Sequence, residues 1–236
     1  MRVLAEITDE GHPHYFIDTV KLMFCNDETA IKEVKYVSLE DFAELIGAGL
    51  DRKGTCMLGK MPIGYYNASV GVERNGFACK AILALPKKVQ RITYMDTPYH
   101  MELPALVFAF RIEGGREKDT HVFCMKDTQP TPRSILYHFP LGNVSLQSGK
   151  VCWGTNRLPD VKCLKDLDML MTYFISCPFN SDHYRRNENN KMKDFELRDL
   201  CAYVEREGKF DEEQILMPMT EPGYRSLGEL QKTMHF

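Results

Sequence analysis

The run from His14 to Phe24 is dense in aromatic and β-branched side chains and predicts a strand, closed by Cys25, Asn26 and Asp27. A second strand is expected from Ile31 to Val37, where Lys32 and Lys35 alternate with apolar partners, and the pair reads as a hairpin. Ser38 then precedes Leu39 to Ile46, with Asp41 three residues on. That is an N-cap feeding a short amphipathic helix, which Gly47 and Gly49 stop. From Asp51 to Gly76 periodicity is weak, and loop and short strand are expected. Phe77 to Leu85 predicts a strand before Pro86. Arg91 to Tyr94 follows, and then Asp96-Thr97-Pro98 and Leu103-Pro104 break the chain, which places a lobe boundary near residues 95–103.

After Pro104 the pattern sharpens. Ala105 to Ile112 is a continuous apolar run, turned by Glu113-Gly114-Gly115-Arg116 and answered by Thr120 to Met125, a strong hairpin signal. Pro130 and Pro132 end the second strand, and Ser134 to Tyr137 lead into a stretch where apolar patterning becomes intermittent. From Val161 to Ser176 apolar residues recur at 163, 164, 167, 170, 171, 174 and 175, the stripe of an amphipathic helix that Asp160 can cap and that the turn from Cys177 to His183 ends. Arg185 to Lys193 reads as a polar loop. A helix is expected from Asp194 to Glu207, with Leu197, Leu200, Cys201 and Val204 on one face and Gly208 at its end, and a last one around Leu227 to Thr233. There is no internal repeat and no low-complexity segment.

With 44% hydrophobic and 27% charged residues over 236 positions, the chain is ordinary globular material, large enough for one domain or a domain and a smaller lobe. No apolar run approaches the length of a membrane span, and the acidic residues near the N-terminus come too early for a signal-peptide core. Net charge is −3 with both signs interspersed, which gives no footprint for nucleic acid; the basic groups Arg52-Lys53, Lys87-Lys88 with Arg91, and Arg185-Arg186 with Lys191 and Lys193 read as solvated surface. The eight cysteines are evenly spread, so reduced thiols in a cytoplasm are expected rather than a disulfide framework. The nearest approach to a metal-ligand pair, His121 and Cys124, falls on opposite faces of one predicted strand, so no metal site is read.

The densest chemistry lies in Tyr137 to Val144 and Ser148 to Gly154, which hold His138, Pro140, Asn143, Cys152 and the only Trp, Trp153. Irregular backbone is expected here, and a thiol on such a loop can meet a macromolecular substrate. Cysteine is also among the most buried residue types, so each of the eight has a core reading; what singles out Cys152 is its company.

That company resembles the active-site segment of ubiquitin-conjugating enzymes, in which His-Pro-Asn is followed by a short turn and Gly-x-Val/Ile-Cys. Here His138, Pro140 and Asn143 stand in that order before Ser148-Gly149-Lys150-Val151-Cys152-Trp153, with the tripeptide split by Phe139 and by Leu141-Gly142. The likeness is to the bacterial branch, prokaryotic family D, which includes the protein B of PRTRC systems. It runs from about Leu103 to about Tyr184 and more loosely to the C-terminus. It implies an α+β fold: a UBC-like antiparallel meander with C-terminal helices over residues 101–236, preceded by a family-specific N-terminal α/β lobe over residues 1–100.

The resemblance implies that Cys152 accepts a ubiquitin-like protein from a ThiF-like activating enzyme as a thioester, in a system that also holds a JAB-type peptidase, with no cofactor. Thioester exchange suits a loop thiol without a base, because a few per cent of a thiol of ordinary pKa near ~8.5 is already ionised at neutral pH. By the same resemblance Asn143 is a candidate oxyanion donor and His138 fixes the loop, while Asn143 can equally hold its own turn. Trp153 is expected to pack beneath the thiol and shield it. Two other readings stay open: an inactive module that binds a ubiquitin-like protein or activating enzyme, and a thiol hydrolase pairing Cys152 with His138 or His121.

Overall fold

Residues 2–7, 19–25, 31–38, 42, 60–73, 76–185 and 192–235 are described by the computed structural model. The chain divides into two compact units, residues 1–55 and 56–236. In the first, β1 (Arg2–Ile7), β2 (Thr19–Cys25) and β3 (Ile31–Ser38) form an antiparallel sheet in chain order. The expected hairpin of β2 and β3 is present, while β1 was not anticipated. Residues 14–18 of the predicted first strand, and all of the helix expected over 39–46 but Phe42, lie outside the described residues.

The second unit is built on a five-stranded antiparallel sheet, ordered β10-β9-β8-β5-β4. Its strands are β4 (Tyr65–Glu73), β5 (Gly76–Leu85), β8 (Ala105–Glu113), β9 (Arg116–Met125) and β10 (Tyr137–His138). The β8–β9 turn is the two glycines, with φ of 57° at Gly114 and 74° at Gly115, the left-handed pair that a tight hairpin needs. Strand β8 explains its own unbroken apolar run, because both of its faces are covered. Leu106, Phe108, Phe110 and Ile112 belong to one core and Ala105, Val107 and Ala109 to another.

The first core packs under α1 (Leu167–Ser176) and α2 (Leu197–Glu207) through Leu167, Leu170, Phe174, Leu200, Cys201 and Val204. The second lies under α4 (Leu227–Thr233), with Leu227 and Leu230 fully buried; the four-residue α3 (Glu212–Ile215) comes before it. Each fully buried Phe or Leu contributes roughly 1.5–3 kcal/mol. Helices α2 and α4 occupy the predicted stretches, and Gly208 ends α2 at φ 68° as a left-handed cap.

Several expectations change. The stretch read as a break, residues 95–103, is instead a hairpin of β6 (Lys88–Tyr94) and β7 (Thr97–Leu103) inserted between β5 and β8. Ile92, Tyr94, Tyr99, Met101 and Leu103 join the first core, within the compact unit of residues 56–236. Strand β4 supplies the strand of the span read as loop and short strand, and takes up much of it. At the other end, residues 164–166 form a single 3₁₀ turn before α1 whose N-cap is Cys163 and not Asp160; the Asp166 carboxylate, at the third position of the turn, reaches back to accept from the Lys162 and Cys163 N–H groups at 2.8 and 3.2 Å. No helix among the described residues is long and apolar enough to cross a membrane.

Candidate active site

Three segments meet where the sequence concentrates its chemistry. Strand β10 pairs with β9 at Cys124 and Phe123, and the His138 N–H donates to the Met217 carbonyl at 2.9 Å. Phe139 then turns inward. Its ring lies 5.3 Å from Phe174 on α1 and 5.7 Å from Phe179, and those two are 5.5 Å apart. The triad of rings joins the loop after β10 to α1 and to the turn that follows it, at the spacing aromatic pairs prefer.

The next residues are held by close approach. A Cβ on Gly142 would run into the Asn180 carbonyl. Asn143 is left-handed, at φ 65°, a conformation Asn tolerates better than most residues. Its N–H donates to the Asp182 carbonyl at 2.8 Å. Its side chain spans the same gap, Nδ2 donating to the Pro178 carbonyl at 3.2 Å and Oδ1 accepting from the Asn180 N–H at 3.3 Å. Asn143 therefore clamps the turn after α1 and not merely its own turn.

The chain then makes a small hairpin of its own. Val144 bridges Val151, and the Ser145 N–H donates to the Lys150 carbonyl at 2.8 Å. Gly149, at φ 70°, lies so close over Phe123 that a Cβ would meet the ring. The far side of the hairpin adds to the β9 edge beyond β10: the Val122 N–H donates to the Gly149 carbonyl and the Val151 N–H to the Thr120 carbonyl, both at 2.8 Å. Lys150 ion-pairs with Asp119 on the same strand. At the end of this edge the Cys152 N–H donates to the Asn143 carbonyl at 2.8 Å, and the Cys152 side chain is exposed, with no hydrogen-bond partner among the described residues.

Trp153 does not cover the thiol. Its ring turns toward Tyr173 and Phe174 on α1, with centroids 6.1 and 6.0 Å away, and its Nε1 donates to Glu117 at 3.2 Å. The indole ties the exit of the loop to β9 and α1 and leaves the sulfur in the open.

The two histidines stand apart from this point. His138 lines a small cavity of about 20 Å3 with Tyr184, Arg185, Leu200, Ile215 and Met217, and its Nδ1 has no hydrogen-bond partner among the described residues. Burial, helped by the charge of Arg185, pushes its pKa below 6.5. His121 stacks with Phe123 and Tyr224, which also stack with each other, and donates from Nδ1 to the Ser148 carbonyl at 2.8 Å; burial lowers its pKa as well. Among the described residues no hydrogen bond joins either ring to Cys152. The structure thus brings Asn143 and Cys152 together and leaves His138 behind the loop. No group of three or more potential metal ligands gathers among the described residues.

Sequence reasoning missed Asn180, Asp182 and Glu117, which hold the loop from 36 or more positions away. Short-range pattern carries no signal for such partners. The split of the His-Pro-Asn order by Phe139 and Leu141-Gly142 does have a visible purpose: Phe139 and Leu141 are core residues and Gly142 permits the approach of Asn180.

Residues 80–219 match the family model described as Prokaryotic E2 family D, a span that runs from within β5 through β10, the Cys152 loop and helices α1 to α3. Comparison with curated proteins and with solved structures gives no match.

Proposed function

The chain belongs to prokaryotic E2 family D, and from that premise we propose that Cys152 takes the C-terminus of a ubiquitin-like protein as a thioester and passes it to a target. The observation that carries this reading is an exposed, unengaged thiol on a loop whose backbone is fixed on both sides. In the first step the Cys152 thiolate attacks the thioester carbonyl held by a ThiF-like activating enzyme. A new C–S bond forms, the old one breaks, and the activating enzyme's cysteine leaves as thiolate. In the second step an amine or hydroxyl of the target attacks the same carbonyl carbon, Cys152 leaves as thiolate, and the proton of the acceptor passes to solvent.

Each step passes through a tetrahedral oxyanion. Asn143 has a second Nδ2 N–H that is not committed to Pro178, and this is the donor we assign to that oxyanion; a single such donor is worth ~2.7–4 kcal/mol. His138 has the architectural part, since its backbone is tied to Met217 and its ring faces the cavity behind the loop. A hydrolase would need an oriented base at hydrogen-bond distance from the thiol, and neither histidine provides one.

The test is incubation with the cognate activating enzyme, ATP and the ubiquitin-like protein. A thiol-reducible adduct on Cys152, lost in Cys152→Ala, is the expected product. Tight binding of the ubiquitin-like protein with no adduct, unchanged by Cys152→Ala, would replace the transferase with a binding module. A JAB-type peptidase in the same system would act on the conjugates.

A further inference from the structure

Among the described residues strand β6 has an open edge, beside the face of α1 that carries Met171 and Ile175. At its C-terminal end the edge is already paired: the Phe179 N–H donates to the Thr93 carbonyl and the Met95 N–H to the Phe179 carbonyl, both at 2.8 Å. Residues 93 and 95 therefore turn their backbone groups outward, and ladder alternation turns those of Arg91 and Val89 the same way. Among the described residues nothing meets them.

Beside this edge lies a groove of about 500 Å3, within the range of ligand sites, between β6 and α1. Leu85, Pro86, Met171 and Ile175 make it apolar, and Ile63 stands 62% exposed at its rim. Its charge is one-sided. Asp168 is occupied by the Ile63 N–H at 2.8 Å and by Lys165, whereas Lys88 and Arg91 have no ion-pair partner among the described residues. An apolar acid would satisfy the wall and the cations but not the backbone groups of Val89 and Arg91. A peptide satisfies all three.

We propose that this groove binds an extended peptide segment of a partner protein, added to β6 as a further strand in line with Phe179. The peptide's apolar side chains lie against α1, and a carboxylate sits against Lys88 and Arg91. The site is independent of the thioester chemistry, because it uses neither Cys152 nor the loop that carries it.

The test is selection of random heptapeptides on the full chain, from one library with free C-termini and one with amidated ends. Acidic, apolar binders are expected. Recovery from the first library alone identifies the anion as the terminal carboxylate, and recovery from both as a side chain. N-methylation of the central peptide bond and Arg91→Glu should each weaken binding by about tenfold or more. Val89→Pro should do the same with the thermal midpoint retained, since it deletes an outward N–H and no bond to β7. If Val89→Pro does not fold, the other two changes still decide. No acidic, apolar enrichment, or binders indifferent to both N-methylation and Arg91→Glu, would overturn the proposal.

Discussion

The backbone N–H of Cys152 donates to the carbonyl of Asn143 at 2.8 Å, and Asn143 in turn holds Pro178, Asn180 and Asp182. One residue thus connects the position of the thiol to the exit of α1. The left-handed backbone of Asn143 and its side-chain amide contribute separately, and two substitutions divide them.

Asn143→Gly keeps the left-handed backbone and deletes the amide, whereas Asn143→Ala also carries a left-handed strain of about 1–2 kcal/mol. Both variants should lose onward transfer by about 10²–10³-fold if the amide serves the oxyanion. Both should also lower the urea midpoint, since each loses the bonds to Pro178 and Asn180, and Asn143→Ala should lower it further. Transfer that is normal in Asn143→Gly would leave Asn143 as a clamp alone.

Gly142→Ala should disturb the same junction from the other side, because its Cβ meets backbone and not a movable side chain. Overpacking of this kind costs about 1–3 kcal/mol. Denaturant titration should show that loss, and limited proteolysis should open the 177–183 turn first. An unchanged midpoint would show that the turn gives way freely.

What the sequence made legible, and what it hid, follows from the range of the interactions. Strands β8 and β9 announce themselves because β8 is apolar on both faces and its turn is two glycines. Strand β4 is an edge strand with Ser69 and Gly71 exposed, so its alternation is faint. Pro98 looks like a strand breaker, yet it pairs with Thr93, whose backbone groups point away from β7. The missing N–H of Pro98 therefore removes no ladder bond. In the loop, the motif order singled out Cys152 and Asn143, which a backbone hydrogen bond joins. The direction of Trp153 and the clamp across 35 residues to Pro178 depend on tertiary packing, which no local pattern encodes.

Acidification should loosen the fold through two rings. His138 and His121 both titrate below 6.5 in the folded chain, chiefly because burial penalises their charged forms, so the unfolded chain binds more protons as pH falls beneath that value. Their contribution is complete above about pH 6.5 and is lost on the way down toward the folded values. Urea midpoints at about pH 7.5 and about pH 5 should differ, and His138→Gln and His121→Gln should each reduce the difference. If neither does, carboxylates govern the acid limb.

The thiols should react in an order set by access. Cys152 is exposed, while Cys79, Cys124 and Cys201 are buried. Burial pushes the Cys79 and Cys201 pKa values up to about 12 and that of Cys124 well above its ordinary range, so all three lack both thiolate and an approach path. Cys177, at the end of α1, is partly covered and its pKa is also raised by burial. Brief treatment of the native chain with iodoacetamide, read by peptide mass spectrometry, should label Cys152 before any of these four. The buried three should react only on unfolding, which makes their labelling rate a measure of global opening. Early labelling of Cys124 or Cys201 with Cys152 intact would mean that the loop folds over its sulfur, and a covered sulfur could not exchange thioesters with another protein.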